Sequence, residues 1–214
     1  MLGNLNSDRS NVDSLNRDRR SRRREATKAE ILDAAWALVR EHGLAGLSLR
    51  DLAARVGMRA PSLYQYFPSK HAIYDAMFGQ GARQALAEVG APVGTTDARE
   101  ALLLVAHRMF DFVTSNPERA LLLFQRTIPG FEPSPESYAP AVELLDWSRL
   151  QLVERGLTDP DALDLWTALL SGLSNQQMAN DPGGTRWARL VDRAVGMYLA
   201  EVGPPSAGSR KGKR

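Results

Sequence analysis

Leu49-Arg50-Asp51-Leu52-Ala53-Ala54-Arg55-Val56-Gly57-Met58-Arg59-Ala60-Pro61-Ser62-Leu63 is the stretch whose reading decides the fold. It describes two short helices that cross closely through a tight turn. Ala53 is small where the second helix passes over the first. Gly57 can take the left-handed conformation that such a turn needs. Leu52, Val56 and Leu63 give the pair an apolar inside. That spacing is a helix-turn-helix, whose second helix is shaped to enter the DNA major groove.

The second helix divides cleanly into faces. At about 100° per residue, Ala60, Leu63 and Phe67 share one side and pack inward. Arg59, Ser62, Gln65 and Tyr66 fall on the other side, which is polar, cationic and free of carboxylates, as a base-reading and phosphate-facing surface should be. Arg59 is a candidate guanine reader on chemical grounds, because a guanidinium can bond O6 and N7 together.

Working outward, Thr27-Lys28-Ala29-Glu30 has the form of a capping box and predicts a helix start at Thr27. Ile31, Leu32, Ala35, Trp36, Leu38 and Val39 continue it at helical spacing until Gly43 stops it. Ser48, with Asp51 three residues on, opens the next helix. The third covers about residues 60–67, with Pro61 tolerated in its first turn. Pro68-Ser69 then end it and cap a fourth, about Lys70–Val89. Ahead of all this, Arg17–Arg24 holds six arginines in eight positions. Residues 1–26 read as a disordered basic arm, placed to follow phosphates or to enter a neighbouring minor groove.

The remainder is helical again. Helices are expected over about Thr96–Ser115, Glu118–Arg126, Ala141–Arg155, Pro160–Asn180 and Thr185–Glu201, with Thr127–Pro140 left as a proline-rich loop. No useful period-2 alternation appears, so the fold class is all-α, with about nine helices. The expected organisation is the arm, a three-helix DNA-binding head at 27–73, a helical ligand-binding and dimerisation domain at 74–202, and a basic flexible tail at 203–214.

The formal charge of +2 hides a strong division. Residues 1–70 carry a net +5, residues 71–202 a net −7, and the tail +4, which points to a polyanion at one end. Cysteine is absent and only His42, His71 and His107 are present. Thiolate metal sites, disulfide scaffolds and cysteine nucleophiles are thereby excluded. Neither a nucleophile elbow nor a phosphate loop or metal-spaced cluster is found, so no enzyme activity and no cofactor are expected. No apolar run approaches a membrane span, and the first residues lack the apolar segment of a signal peptide, so a cytoplasmic location away from the membrane is expected.

Thr27 to about Phe78, with its Ala53…Gly57 turn and the run Leu63-Tyr64-Gln65-Tyr66-Phe67-Pro68-Ser69-Lys70, resembles the N-terminal domain of the tetracycline-repressor (TetR) family. The resemblance implies a homodimeric regulator, usually a repressor, that binds a double-stranded DNA operator. In that family a small-molecule effector in the C-terminal domain alters the spacing of the two heads. It also implies site roles. Arg50 would touch a phosphate or base edge, Pro61 and Ser62 would face the bases, Tyr64 and Tyr66 would contact the backbone or a thymine methyl, and Lys70 would meet a phosphate. Leu49 stands where some relatives carry a small polar residue.

By the same resemblance the last two helices form a four-helix bundle with those of a second copy. Their apolar stripes nominate Trp166, Leu170, Leu173, Trp187, Val191 and Val195 for that interface. Aromatic and soft residues nominate Phe110, Phe124, Trp147, Trp166 and Met178 for a ligand pocket of hydrophobic character. Gly79-Gln80-Gly81 lies inside the fourth helix and is either a hinge or a close crossing.

Overall fold

The computed structural model describes residues 5–203, with side chains from residue 18 onward. Among the described residues the chain is all helical. It forms two compact units that divide between Met77 and Phe78. The basic tail expected at 203–214 lies, apart from Gly203, outside the described residues.

The first unit opens with α1, Leu5–His42. Helix therefore begins well before Thr27, and residues 5–26 are part of α1 rather than a disordered arm. The physical reason is an absence of breakers, since no glycine or proline occurs from residue 4 to residue 42. Thr27 caps nothing. Its hydroxyl donates to the Arg23 carbonyl at 3.0 Å, the back-bond of a threonine inside a helix. Ile31, Ala35, Trp36, Leu38 and Val39 bury the inner face of α1. α2 (Leu49–Arg55), α3 (Ala60–Leu63), the turns that follow it and the start of α4 (Lys70–Val89) bury Leu52, Leu63, Phe67, Ile73 and Met77 in the same unit. Each such side chain contributes roughly 1.5–3 kcal/mol when fully buried. The Tyr74 hydroxyl, buried among them, donates to the Leu44 carbonyl at 2.5 Å and ties α4 to the loop after α1.

The second unit holds the rest of α4, then α5 (Ala98–Ser115), α6 (Pro117–Phe124), α7 (Pro135–Val153), α8 (Ala162–Asn180), a 3-10 turn (Ala188–Leu190) and α9 (Val191–Val202). Its core joins Phe110 and Phe112 of α5 to Trp166 and Leu170 of α8 and to Val191, Val195 and Tyr198 of α9. The Trp166 and Tyr198 rings lie 5.1 Å apart, and the Tyr198 hydroxyl donates to the Ala162 carbonyl at 2.8 Å. Burial, and secondarily the Asp159 charge, push the Tyr198 phenol up to about 12.

Two boundaries differ from the sequence reading. α7 starts at Pro135, inside the expected loop, because Ser134 caps it by accepting from the Ser137 amide at 3.2 Å and Pro135 sits where a helix needs no amide. Pro140 is accommodated inside the helix. Regular helix in α9 begins at Val191, not Thr185, because buried Gln177 of α8 takes the preceding amides. Its Oε1 accepts from Trp187 N at 2.9 Å and Ala188 N at 3.3 Å.

Candidate nucleic-acid interface

The turn between α2 and α3 is built by local hydrogen bonding. Ser48 caps α2, its Oγ accepting from the Asp51 amide at 3.4 Å. At the other end Met58 N reaches Ala53 O at 2.8 Å and Gly57 N reaches Ala54 O at 3.1 Å. This is a Schellman closure, and it requires the positive φ of 66° found at Gly57. Arg55, unlike Arg50 and Arg59, is paired. Its guanidinium forms a two-pronged pair with Glu41 at 2.8 and 2.7 Å and holds that carboxyl below its ordinary range.

α3 is shorter than the expected 60–67, with regular helix ending at Leu63. Beyond it the chain tightens into three-residue turns, Gln65 N to Ser62 O at 3.2 Å and Tyr66 N to Leu63 O at 3.0 Å, before Phe67 buries. Leu63 and Phe67 point inward, leaving Arg59, Pro61, Tyr64 and Gln65 exposed and Ser62 half-buried. Arg50 is exposed on α2. Among the described residues neither Arg50 nor Arg59 has a hydrogen-bond or ion-pair partner, so both guanidinium groups face solvent. No carboxylate occurs between Asp51 and Asp75.

Two of the nominated residues are tied into the unit. Lys70 Nζ donates to the Ala45 carbonyl at 3.3 Å and lies 5.5 Å from the Tyr74 ring centre, leaving further ammonium protons for a phosphate. Tyr66 is half-buried beneath Arg24, whose guanidinium sits 5.2 Å from the ring centre and donates to the Gln65 carbonyl at 2.7 Å. Arg24, which the sequence reading placed among the phosphate-following arginines of the arm, is instead packed on the Tyr66 ring and the Gln65 carbonyl. The available signal was its spacing: seven residues before buried Ile31, it continues the inner stripe of α1.

The second unit contains a cavity of about 330 Å³ lined by residues of α4 to α8. Of the five nominated ligand residues, Phe124 and Trp166 line it. Phe110, Trp147 and Met178 do not. Phe110 is buried in the core and Trp147 packs against it, each about a sixth of a turn from the nearest lining residue of its helix, while Met178 lies one turn past Ser174. The interface nominations need a larger correction. Trp166, Leu170, Val191 and Val195 are at most 3% exposed within a single chain, and Leu173 and Trp187 pack against the same core. The wide apolar stripes of α8 and α9 therefore face inward. The surface they leave outward carries Leu165, Ala168 and Gly172 on α8 and Met197 and Ala200 on α9.

Residues 31–77 match the family of bacterial regulatory proteins described as the tetR family. The tetracycline repressor protein class A of transposon 1721, from Escherichia coli, is 32% identical over 195 residues, covering 83% of this chain and 82% of that protein. The HTH-type transcriptional regulator Rv1816 of Mycobacterium tuberculosis is 26% identical over 119 residues, 54% of this chain and 51% of that protein. The chain thus spans about half the length of the first curated relatives it matches. The fold is shared with the TetR family transcriptional regulator PfmR of Thermus thermophilus, with a TM-score of 0.61, 22% identity, and coverage of 79% of this chain and 97% of that one.

Proposed function

Since the chain belongs to the tetR family of bacterial regulatory proteins, we propose that it is a DNA-binding transcriptional regulator, a cytoplasmic homodimeric repressor released from its operator by a small hydrophobic molecule. The observation that carries this reading is the α2–Gly57–α3 turn with Arg50 and Arg59 unpaired, Pro61, Ser62 and Tyr64 on α3 and just after it, and no carboxylate from residue 52 to residue 74. Arg59 reads a guanine edge, Ser62 and Pro61 approach neighbouring bases, and Arg50, Tyr64, Tyr66 and Lys70 fix the register on the backbone.

Two copies pair through the outward surface of α8 and α9, where small Ala168 and Gly172 permit close approach and Leu165 and Met197 supply apolar area. The effector occupies the cavity of the second unit, whose wall includes Phe124 and Trp166.

Selection of duplexes from a randomised pool by the full-length protein tests the DNA reading. The expected product is a twofold-symmetric site with half-sites spaced to suit a dimer. Recovery of no preferred sequence overturns it. A reporter driven by the selected site then separates repression from activation. Among the described residues, no helix is long and apolar enough to cross a membrane.

A further inference from the structure

We propose that the cavity is built for an uncharged, elongated molecule that carries one hydrogen-bonding group, anchored on the Ser174 hydroxyl. This deepens the ligand-responsive reading and rests on it.

The lining contains no Asp, Glu, Lys, Arg or His. A charged ligand buried there would lose hydration and meet no counter-charge. Residues 71–202 also carry a net −7, so an anion approaches against the field of the unit while a cation finds nothing inside to hold it. Both arguments leave a neutral occupant. Val105, Met109, Leu144 and Leu170 supply an apolar bed for it.

One buried polar atom in that wall is unsatisfied. Ser174 is 1% exposed, lines the cavity, and its Oγ has no hydrogen-bond partner. Ser148, also in the wall, differs, because its hydroxyl donates to the Leu144 carbonyl at 2.8 Å. A buried hydroxyl without a partner is unfavourable, and a ligand carbonyl or hydroxyl placed against it relieves that cost. The cavity is not closed around a compact ligand. Leu123, Phe124, Gln125 and Tyr138 also line a neighbouring cavity of about 380 Å³, and Phe124 and Tyr138 remain 49% and 43% exposed. An occupant anchored at Ser174 therefore has room to run as far as these two rings, which requires length rather than bulk; only beyond them, in the neighbouring cavity, does the wall carry charge, from Arg126 and Glu132.

Three molecules of one length test this: octan-1-ol, octanoate and octylammonium. Each is titrated into the full-length protein without DNA, by calorimetry and by tryptophan emission, with Trp166 in the cavity wall as reporter. Saturable binding of the alcohol is expected, with both ions at least tenfold weaker. Ser174→Ala should weaken the alcohol about five- to tenfold, the loss of one hydrogen bond. Ser174→Cys, nearly the same size and a weak donor, should fall between and serves if the alanine variant folds poorly. Equal binding of either ion, no saturable binding of the alcohol, or wild-type affinity in both Ser174 variants overturns the proposal. Because DNA is absent, a protein that binds the alcohol but no DNA refutes the regulator reading instead.

Discussion

Arg24→Ala gives the sharpest test of how the first unit holds its DNA-facing turn. Arg24 stands in an arginine-rich segment, where every guanidinium is a natural phosphate ligand. Its observed partners are internal, the Gln65 carbonyl at 2.7 Å and the Tyr66 ring at 5.2 Å. A hydrogen bond from a charged donor contributes roughly 1.5–3 kcal/mol when shielded, and a cation–π contact about 0.5–1 at an exposed site. Arg24 is exposed, so the sum is discounted to about 1–2 kcal/mol, which is an affinity ratio of about 5 to 30. That is the ceiling on what DNA binding loses if Tyr66 and the turn after α3 lose their orientation.

Affinity alone cannot separate positioning from phosphate contact, but the salt dependence can. Removing one phosphate contact lowers the slope of log K against log salt by about 0.9. For Arg24→Ala the expected result is an affinity loss of no more than about 5- to 30-fold with the slope unchanged. Arg24→Lys keeps the charge but loses the flat face and the fork, so it should resemble the alanine variant. Arg20→Ala and Arg23→Ala, both exposed, should lower the slope. Filter binding or fluorescence anisotropy over a series of salt concentrations measures all four. A slope reduced by about 0.9 in Arg24→Ala, with recovery in Arg24→Lys, refutes the positioning role.

Arg59→Ala should cost about 1–3 kcal/mol and relax one position of the selected site, whereas unchanged selectivity across a randomised operator contradicts base reading. Leu165→Asp on the outward surface of α8 should yield folded monomers by light scattering, while Leu170→Asp, buried at 3% exposure, should unfold the chain; a folded monomer from Leu170→Asp reverses the assignment of faces. Gly81→Ala should stabilise by about 1 kcal/mol in denaturant titration, since its new Cβ meets Leu123 at an ordinary 3.4 Å. Gly79→Ala should gain nothing, because its Cβ would lie 3.0 Å from Ser137 Oγ. Tyr198 ionises near its ordinary value of 10.0 when unfolded but only at about 12 when folded, so its buried neutral form contributes stability that is fully present below pH 10 and is lost as pH rises toward 12. Tyr198→Phe should flatten that alkaline decline, measured by thermal unfolding at fixed pH values.

The helix-turn-helix was legible because each of its parts is a local chemical requirement. Ser48 must cap, Gly57 must take positive φ, and Leu52 and Leu63 must face inward, whatever the rest of the chain does. The family resemblance rested on the same residues. Helix α1 was misjudged for the opposite reason. Charge density argued for disorder, but helix needs only the absence of breakers and an anchored end, and Ile31 to Val39 provide the anchor. In the second unit the sequence pattern marks helices as amphipathic without saying which surface meets which neighbour. α8 carries small or apolar residues on two sides, and only the packed structure shows Leu170 inside and Gly172 outside. A cavity is less legible still, since it depends on where five helices fail to fill space between them. Phe110 and Met109 are adjacent in sequence, yet one is core and the other is wall.

The glycine pair of α4 shows how such an ambiguity resolves into mechanism. Sequence allowed a hinge or a crossing at Gly79-Gln80-Gly81. In the structure the backbone of Gly79 lies so close to α7 that even a methyl group would press on Ser137. Bending there would require this contact to open, so the crossing explains the glycine without any flexibility. Three and six residues further along α4, Ala82 and Ala85 form part of the cavity wall. At the other end of the same helix, Ser69 caps it by accepting from the Ala72 amide at 3.0 Å, and Tyr74 anchors it to the Leu44 carbonyl. On the proposed reading, a ligand that displaces Ala82 and Ala85 acts on a continuous helix with a packed rather than pliant midpoint. The displacement is then carried as a shift of the whole element, and stiffening α4 through Gly81→Ala should preserve release of DNA by ligand. Loss of release in that variant, with DNA binding intact, would restore the hinge.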